Sequence, residues 1–317
     1  MTECCSLLAF AGEDGDRLLT IDDYASATPR WCPGCGDHAV LTAVERLLEA
    51  EQLPRESTVF VSGIGCSSRF PHYVNTYGFH SLHGRALPVA TGVKLRRPDL
   101  TVFVVMGDGD CCSIGAGHWI HATRYNTRMT ALMLDNAVYG LTKNQTSPTS
   151  PLGLPSNTQP RGAYLRPLNP LAATLGVTNA SFVAQTCDWI PAHLFATLRA
   201  AYRHRGFAFV RILQRCPEYT ASLYQDVVRD PALNELLVHP DGVSVPELEL
   251  IYKNRTFHDP SDLDAARRLA EDPSAVRLGV FYRNESVPCY DEVRRTPPMS
   301  GAERLARLDR ELDKYAI

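Results

Sequence analysis

Four continuous apolar runs, at residues 58–63, 100–106, 129–134 and 207–213, stand out against polar or helically spaced surroundings. Each is six or seven residues long and lacks the alternation of a half-exposed strand. Such runs predict strands buried on both faces of a parallel sheet. Val40, Leu41, Val44, Leu47 and Leu48 recur at helical spacing and predict an amphipathic helix over 37–51. Stretches 113–125 and 191–203 predict two more. Strands alternating with helices predict a doubly wound, mostly parallel α/β fold. Beyond about residue 227 the pattern loosens. Residues 261–270 and 301–315 read as helices, with Pro297 and Pro298 as a break before the second. The expected organisation is an N-terminal arm (1–30), one α/β domain (31–226) and a C-terminal extension (227–317) packed on the core or on a partner.

The carboxyl ends of the predicted strands matter more than the strands themselves. The first run leads into Gly65-Cys66, the second into Gly107-Asp108-Gly109-Asp110, the third into Asp135-Asn136 and the fourth into Cys216. Ligands of open parallel sheets sit outside the carboxyl ends of the strands, at a switch point. Gly107 and Gly109 allow backbone N–H groups to approach an anion, and the helix expected from residue 113 adds favourable partial charge. Asp108 is a hard oxygen ligand of the kind magnesium takes together with phosphate oxygens and water. Asn136 at the next strand end is positioned as a second ligand, and the Val138 carbonyl as a third. Gly-Asp-Gly is common in surface turns. Between a buried strand and a helix, with Asp-Asn after the next strand, it carries more weight.

Composition narrows the class. The chain has 317 residues, is 44% hydrophobic and carries a net charge of −3, so neither nucleic acid nor a membrane surface is an expected partner. No apolar run is long enough to span a bilayer, and the start lacks the basic-then-apolar order of a signal peptide; a cytoplasmic protein is expected. Its ten cysteines then stay reduced and serve metals or packing. Cys32 and Cys35 form a Cys-x-x-Cys turn before the first helix, with Trp31 as an apolar staple and Asp37 as the expected N-cap. This turn could be a redox dithiol, a zinc half-site or a cluster half-site. A dithiol normally follows a strand, and nothing strand-like precedes this one. Cys66 and Cys216, each at a predicted strand end, could complete four thiolates. Spacing leaves zinc and an iron–sulfur cluster open. His80 reads as a packed histidine, and His118 and His121 as packing or hydrogen-bonding residues.

The stretch 62–153 resembles the diphosphate-binding half of thiamine-diphosphate enzymes. More narrowly, the chain is similar to β subunits of 2-oxoacid:ferredoxin oxidoreductases, the 2-oxoglutarate type especially. The resemblance is carried by Gly63-Ile64-Gly65-Cys66-Ser67-Ser68-Arg69, by Tyr77-Gly78-Phe79-His80-Ser81-Leu82-His83-Gly84-Arg85 and by Pro88-Val89-Ala90-Thr91-Gly92-Val93-Lys94. Gly107 to Asp110, Ile114-Gly115, His118, the run Asp135 to Lys143 and Gly279 to Arg283 continue it. The pair Cys111-Cys112 departs from it. The resemblance implies thiamine diphosphate with Mg2+ held by Asp108, Asn136 and Val138, and a [4Fe–4S] cluster on Cys32, Cys35, Cys66 and Cys216. It further places Gly65, Cys66, His83, Gly84, Gly107, Gly109, Asp110, Leu141 and Thr142 at the cofactor, and Lys143 near substrate; Arg69, also a cation beside the site, is a further substrate candidate. The implied reaction is coenzyme A-dependent oxidative decarboxylation of a 2-oxoacid to acyl-CoA and CO2 with reduction of ferredoxin, or the reverse carboxylation. The pyrimidine-binding domain is expected on a separate α subunit, in a heterodimer or dimer of heterodimers. Competing readings are a pyruvate-specific subunit, a non-redox decarboxylase or synthase with structural zinc, and a non-enzymatic metal protein. If Lys143 meets substrate carboxylate, Lys143→Ala should cut turnover by about tenfold or more while leaving iron content unchanged; unchanged turnover in steady-state assays would remove Lys143 from the site.

Overall fold

The computed structural model describes residues 17–294 and 299–315. Cys4, Cys5 and the expected break at Pro297 and Pro298 lie outside the described residues. In chain order the strands are β1 (Thr58–Ser62), β2 (Tyr77–His80), β3 (Thr101–Gly107), β4 (Met129–Asp135), β5 (Val138–Tyr139), β6 (Gln145–Thr146), β7 (Phe182–Cys187), β8 (Phe207–Leu213), β9 (Asn234–Val238), β10 (Arg255–Phe257) and β11 (Val276–Arg283). Among the described residues nine of them form one sheet in the order β10-β9-β11-β7-β8-β4-β3-β1-β2, and β5 pairs with β6 as a separate hairpin. Every neighbouring pair in the large sheet is parallel except β11 with β7. The fold is α/β and mostly parallel, as the alternation of apolar runs and helical stretches predicts.

Burial explains why those runs read so clearly. β1 and β4 are buried along their whole length. Successive side chains point to opposite faces. Phe60, Phe103, Val105, Leu132 and Leu134 pack on one side with the helices Asp37–Ala50 and Pro191–Arg203. Val59, Val61, Val102, Val104 and Met133 pack on the other with Ala86–Arg96, Ala116–Tyr125 and the short helix Pro170–Leu175. Phe60 stacks on Phe103 with ring centroids 4.9 Å apart. Each such fully buried aromatic contributes roughly 1.5–3 kcal/mol over its exposed state.

Three expectations are corrected. Asp37 is the first helical residue, with Gly36 at the N-cap, and its carboxyl is buried rather than capping the helix. His80 is exposed, its Nδ1 2.9 Å from His72 Nε2, rather than packed. The loose pattern after residue 227 conceals β9, β10 and β11, which extend the same sheet beyond β7. Arg277, buried on β11 and paired with Glu235 at 2.9 Å and Asp272 at 2.6 Å, breaks the apolar signal there. The helix Gly301–Asp313 is exposed throughout. No described helix is long and apolar enough to cross a membrane.

His193, on the helix Pro191–Arg203, is 2% exposed and meets the hydroxyls of Thr186 and Thr197 through Nδ1. Burial depresses its pKa from 6.5 to about 4. The unfolded chain therefore takes up a proton that the fold excludes, so His193 costs nothing above pH 6.5 and withdraws stability as the pH falls toward 4. A His193→Asn variant should show a shallower loss of unfolding free energy across that window in denaturant titrations, by about 3 kcal/mol in full. Identical acid limbs for the two proteins would contradict this.

Candidate active site

The parallel pairing β8-β4-β3-β1 brings four strand ends to one rim. Gly107 pairs with Leu134 and Asp135 with Leu213, so the loops beyond them start side by side. Between them lies a cavity of about 350 Å³, lined among others by Gly65, Cys66, His83, Asp108, Asn136 and Leu141. Gly107, Gly109, Asp110, Val138 and Thr142 also line it. Neither Arg nor Lys is among its lining residues.

Asp108 is 2% exposed. Its Oδ2 accepts a hydrogen bond from Thr149 Oγ1 at 2.7 Å, while the same hydroxyl lies 2.8 Å from Asp135 Oδ1. One hydroxyl has one proton to donate, so the two carboxylates compete for it. Asp135 is neutralised by Arg211 at 2.6 Å. Asp108 has no such cation, and burial together with the charge of Asp135 pushes its pKa up to about 7. Asn136 Oδ1 accepts the Val138 N–H at 3.2 Å, an Asx turn that holds the amide beside the cavity. Ala137 between them sits at φ 59°, strain that Ser150 Oγ offsets by donating to its carbonyl at 2.7 Å.

Asp110 has a different task. Its Oδ1 accepts from the N–H groups of Ile64 (3.2 Å) and Gly84 (2.7 Å) and lies 2.6 Å from His83 Nδ1. One carboxylate thereby ties the loops after β1 and β2 to the turn after β3. Gly63 is required by this closeness, since a Cβ there would sit 2.0 Å from Asp110 Oδ2. His83 is held by its Nδ1 edge and lines the cavity, facing the Tyr139 ring at 6.0 Å. Asp110 and Gly84 thus act as framework, and His83 is the member of this group that borders the cavity.

The loops that carry Cys32, Cys35, Cys66 and Cys216 lie beside one another on the neighbouring part of the rim. Trp31 Nε1 donates to the Cys66 carbonyl at 2.7 Å, and the Gly36 N–H donates to the Arg215 carbonyl at 3.0 Å. These bonds pin the Cys32–Cys35 turn to the loops of Cys66 and Cys216. Burial pushes the Cys66 thiol up to about 11, with Asp37, Cys216 and Cys32 adding to it. Burial raises Cys35 as well, with Asp37 and Cys216 as charged neighbours. Buried thiols must lose protons before they ligate a metal. Cys66 also borders the cavity, its Sγ 3.7 Å from where a Cβ on Gly140 would lie. Among the described residues no three His, Cys, Asp or Glu side chains converge tightly enough to hold a single metal ion. Cys111, Cys112, Cys187 and Cys289 are buried in packing.

The proposed substrate cations stand outside the cavity lining. Arg69 donates from Nη1 to the Arg30 carbonyl at 3.2 Å. Lys143 is exposed, at φ 67°, with its carbonyl held by Asn157 Nδ2 at 2.7 Å. Sequence reasoning missed Thr149, the Asp135–Arg211 pair and Gln214, because each is defined by a partner distant in the chain. A polar residue directly after the apolar run of β8 was the one signal for Gln214.

Residues 63–212 match the family of thiamine pyrophosphate enzymes, C-terminal TPP binding domain. The chain is 41% identical to 2-oxoglutarate oxidoreductase subunit KorB of Mycobacterium tuberculosis, over 84% of this chain and 78% of that protein. It is 35% identical to 2-oxoacid:ferredoxin oxidoreductase subunit beta of Saccharolobus solfataricus, over 83% of this chain and 84% of that one. Among solved structures, the 2-oxoglutarate:ferredoxin oxidoreductase from Magnetococcus marinus, with 2-oxoglutarate, coenzyme A and succinyl-CoA bound, superposes with a TM-score of 0.78 at 36% identity. That superposition covers 92% of this chain and 96% of that one.

Asp108→Asn removes the uncompensated acid and lets the amide donate to Thr149, which then donates to Asp135. A carboxyl whose pKa is raised on folding costs stability as the pH rises from its unfolded value through about 7. The cofactor-free variant should therefore gain thermal midpoint at pH 8 more than at pH 4. It should lose Mg2+-dependent thiamine diphosphate binding by about tenfold or more. Unchanged cofactor binding in titration calorimetry would remove Asp108 from the expected cation ligands.

Proposed function

The chain belongs to the β subunits of the 2-oxoacid:ferredoxin oxidoreductases, and from that membership we propose that it oxidatively decarboxylates 2-oxoglutarate, with coenzyme A as acyl acceptor and ferredoxin as electron acceptor. It is an oxidoreductase subunit that binds thiamine diphosphate and works with an α subunit. The observation that carries the finer reading is the adjacency, on one sheet rim, of an acid lacking a countercharge and the loops of four cysteines.

The donor set fits Mg2+ with a diphosphate. Asp108 lacks a cation, and the cavity has no Arg or Lys to offset an anion. A divalent ion held by Asp108, Asn136 Oδ1 and the Val138 carbonyl would neutralise both. The four thiols, on loops pinned beside one another, could supply the ligands of a [4Fe–4S] core. When bound, thiamine diphosphate supplies the electron sink for loss of CO2, and the cluster supplies one-electron transfer.

The protein's own residues do the rest. Asp110 fixes His83 through Nδ1, so the other ring edge is left to exchange a proton or hydrogen-bond at the cavity. Leu141, 46% exposed, gives the cavity an apolar wall and restricts water. Neither Lys143, on a backbone braced by Asn157, nor Arg69 lines the cavity, and both remain the candidate cations for the substrate carboxylates.

Co-expressed with its α subunit and purified without oxygen, the protein should be brown, with about four irons and four sulfides per β chain. It should reduce ferredoxin only when 2-oxoglutarate and coenzyme A are both present, and more slowly with pyruvate. Colourless protein carrying zinc, or turnover without any electron acceptor, would point instead to a non-redox thiamine enzyme.

A further inference from the structure

Gln214 follows β8 and is 1% exposed. Its amide makes three hydrogen bonds that run in opposite directions. Oε1 accepts from Asn136 Nδ2 at 2.8 Å. Nε2 donates to the Arg215 carbonyl at 2.5 Å and to Cys35 Sγ at 3.3 Å. Its backbone N–H is anchored on the Asp135 carbonyl at 2.9 Å. One buried side chain therefore touches a proposed Mg2+ ligand with one end and a proposed cluster ligand with the other.

The orientation is forced. The Arg215 carbonyl can only accept, so the NH2 end of Gln214 must face it, and Oε1 must face Asn136. Oε1 also only accepts, so Asn136 must present its own NH2 there. This leaves Asn136 Oδ1 as the atom turned toward Val138 N–H and the cavity. The oxygen needed by a hard cation is thus selected two amides away. On the other side, an N–H donor directed at a ligand sulfur stabilises added negative charge, and such bonds raise cluster reduction potentials.

We propose that Gln214 is a positioning residue for both cofactors, turning Asn136 Oδ1 toward the divalent cation while its N–H···S bond to Cys35 raises the reduction potential of the cluster. The proposal rests on the cluster and cation assignments above. Two variants separate its halves in the assembled complex. Gln214→Met keeps the length and adds no charge but removes both interactions. Gln214→Glu keeps an acceptor for Asn136 and removes the donor.

Cluster potential is read by EPR-monitored titration, and cation affinity by the Mg2+ dependence of thiamine diphosphate binding. Gln214→Met should shift the oxidised-to-reduced ratio at fixed solution potential about tenfold toward oxidised, about 59 mV for a one-electron couple. It should also weaken Mg2+-dependent binding several-fold. Gln214→Glu should lower the potential at least as far while keeping near-normal Mg2+ dependence. Wild-type potential and wild-type Mg2+ dependence in Gln214→Met overturn the proposal. If that variant fails to load iron, an unchanged potential in Gln214→Glu overturns it. A wild-type complex without iron and sulfide overturns the cluster assignment itself, and the proposal with it.

Discussion

One carboxylate sets the shape of the rim. Asp110 Oδ1 gathers Ile64 N–H, Gly84 N–H and His83 Nδ1 from two other loops. The cost of burying that charge is offset by charge-assisted hydrogen bonds rather than by an ion pair with Lys or Arg. Burial still raises its pKa against those bonds. The glycines around it follow from that closeness. Gly63 leaves room for Asp110, and Gly84, at φ 69°, leaves room for the backbone of Ile114 and Gly115. The turn after β3 is thereby held open toward the cavity as a π-helical turn, Asp110–Ile114, before the helix Ala116–Tyr125 begins.

On that frame charge is unequally shared. Asp135 has Arg211 and Asp188 has Arg215, each within 3 Å. Asp108 has hydroxyl and backbone donors, one of them shared with Asp135, and among the described residues no Lys or Arg ion pair. Under the proposed function, the unpaired acid beside two paired ones is where the external cation would bind. The cysteine half of the rim follows a parallel logic. Burial raises the Cys35 and Cys66 thiols, so any inorganic core bound there would have to displace their protons.

Much of this was legible in the chain because buried parallel strands cannot alternate. β1, β3, β4 and β8 announce themselves as apolar runs, and their endings carry Cys66, Asp108, Asn136 and Cys216. β7 was hidden because it buries polar groups by bonding them. Gln185 meets Arg211 at 3.1 Å and the Arg277 carbonyl at 2.8 Å, so Phe182–Cys187 does not look like a core strand. β2 was hidden because it is an exposed edge of four residues. Thr149 and Gln214 could not be found from spacing, for their meaning lies in contacts with Asp108, Asn136 and Cys35 that only the folded rim creates. Asp110 was legible as a site residue but not in its role, which is to hold loops together.

One sheet edge, on this account, carries two inorganic centres side by side, one oxygen-bound and one sulfur-bound. Anomalous diffraction from the anaerobically assembled complex, collected at the iron and zinc absorption edges, tests it most directly. A single strong iron peak enclosed by Cys32, Cys35, Cys66 and Cys216, next to an oxygen-coordinated light ion between Asp108 and Asn136, is the predicted result. A zinc peak at the cysteines, or iron bound elsewhere in the chain, would contradict it.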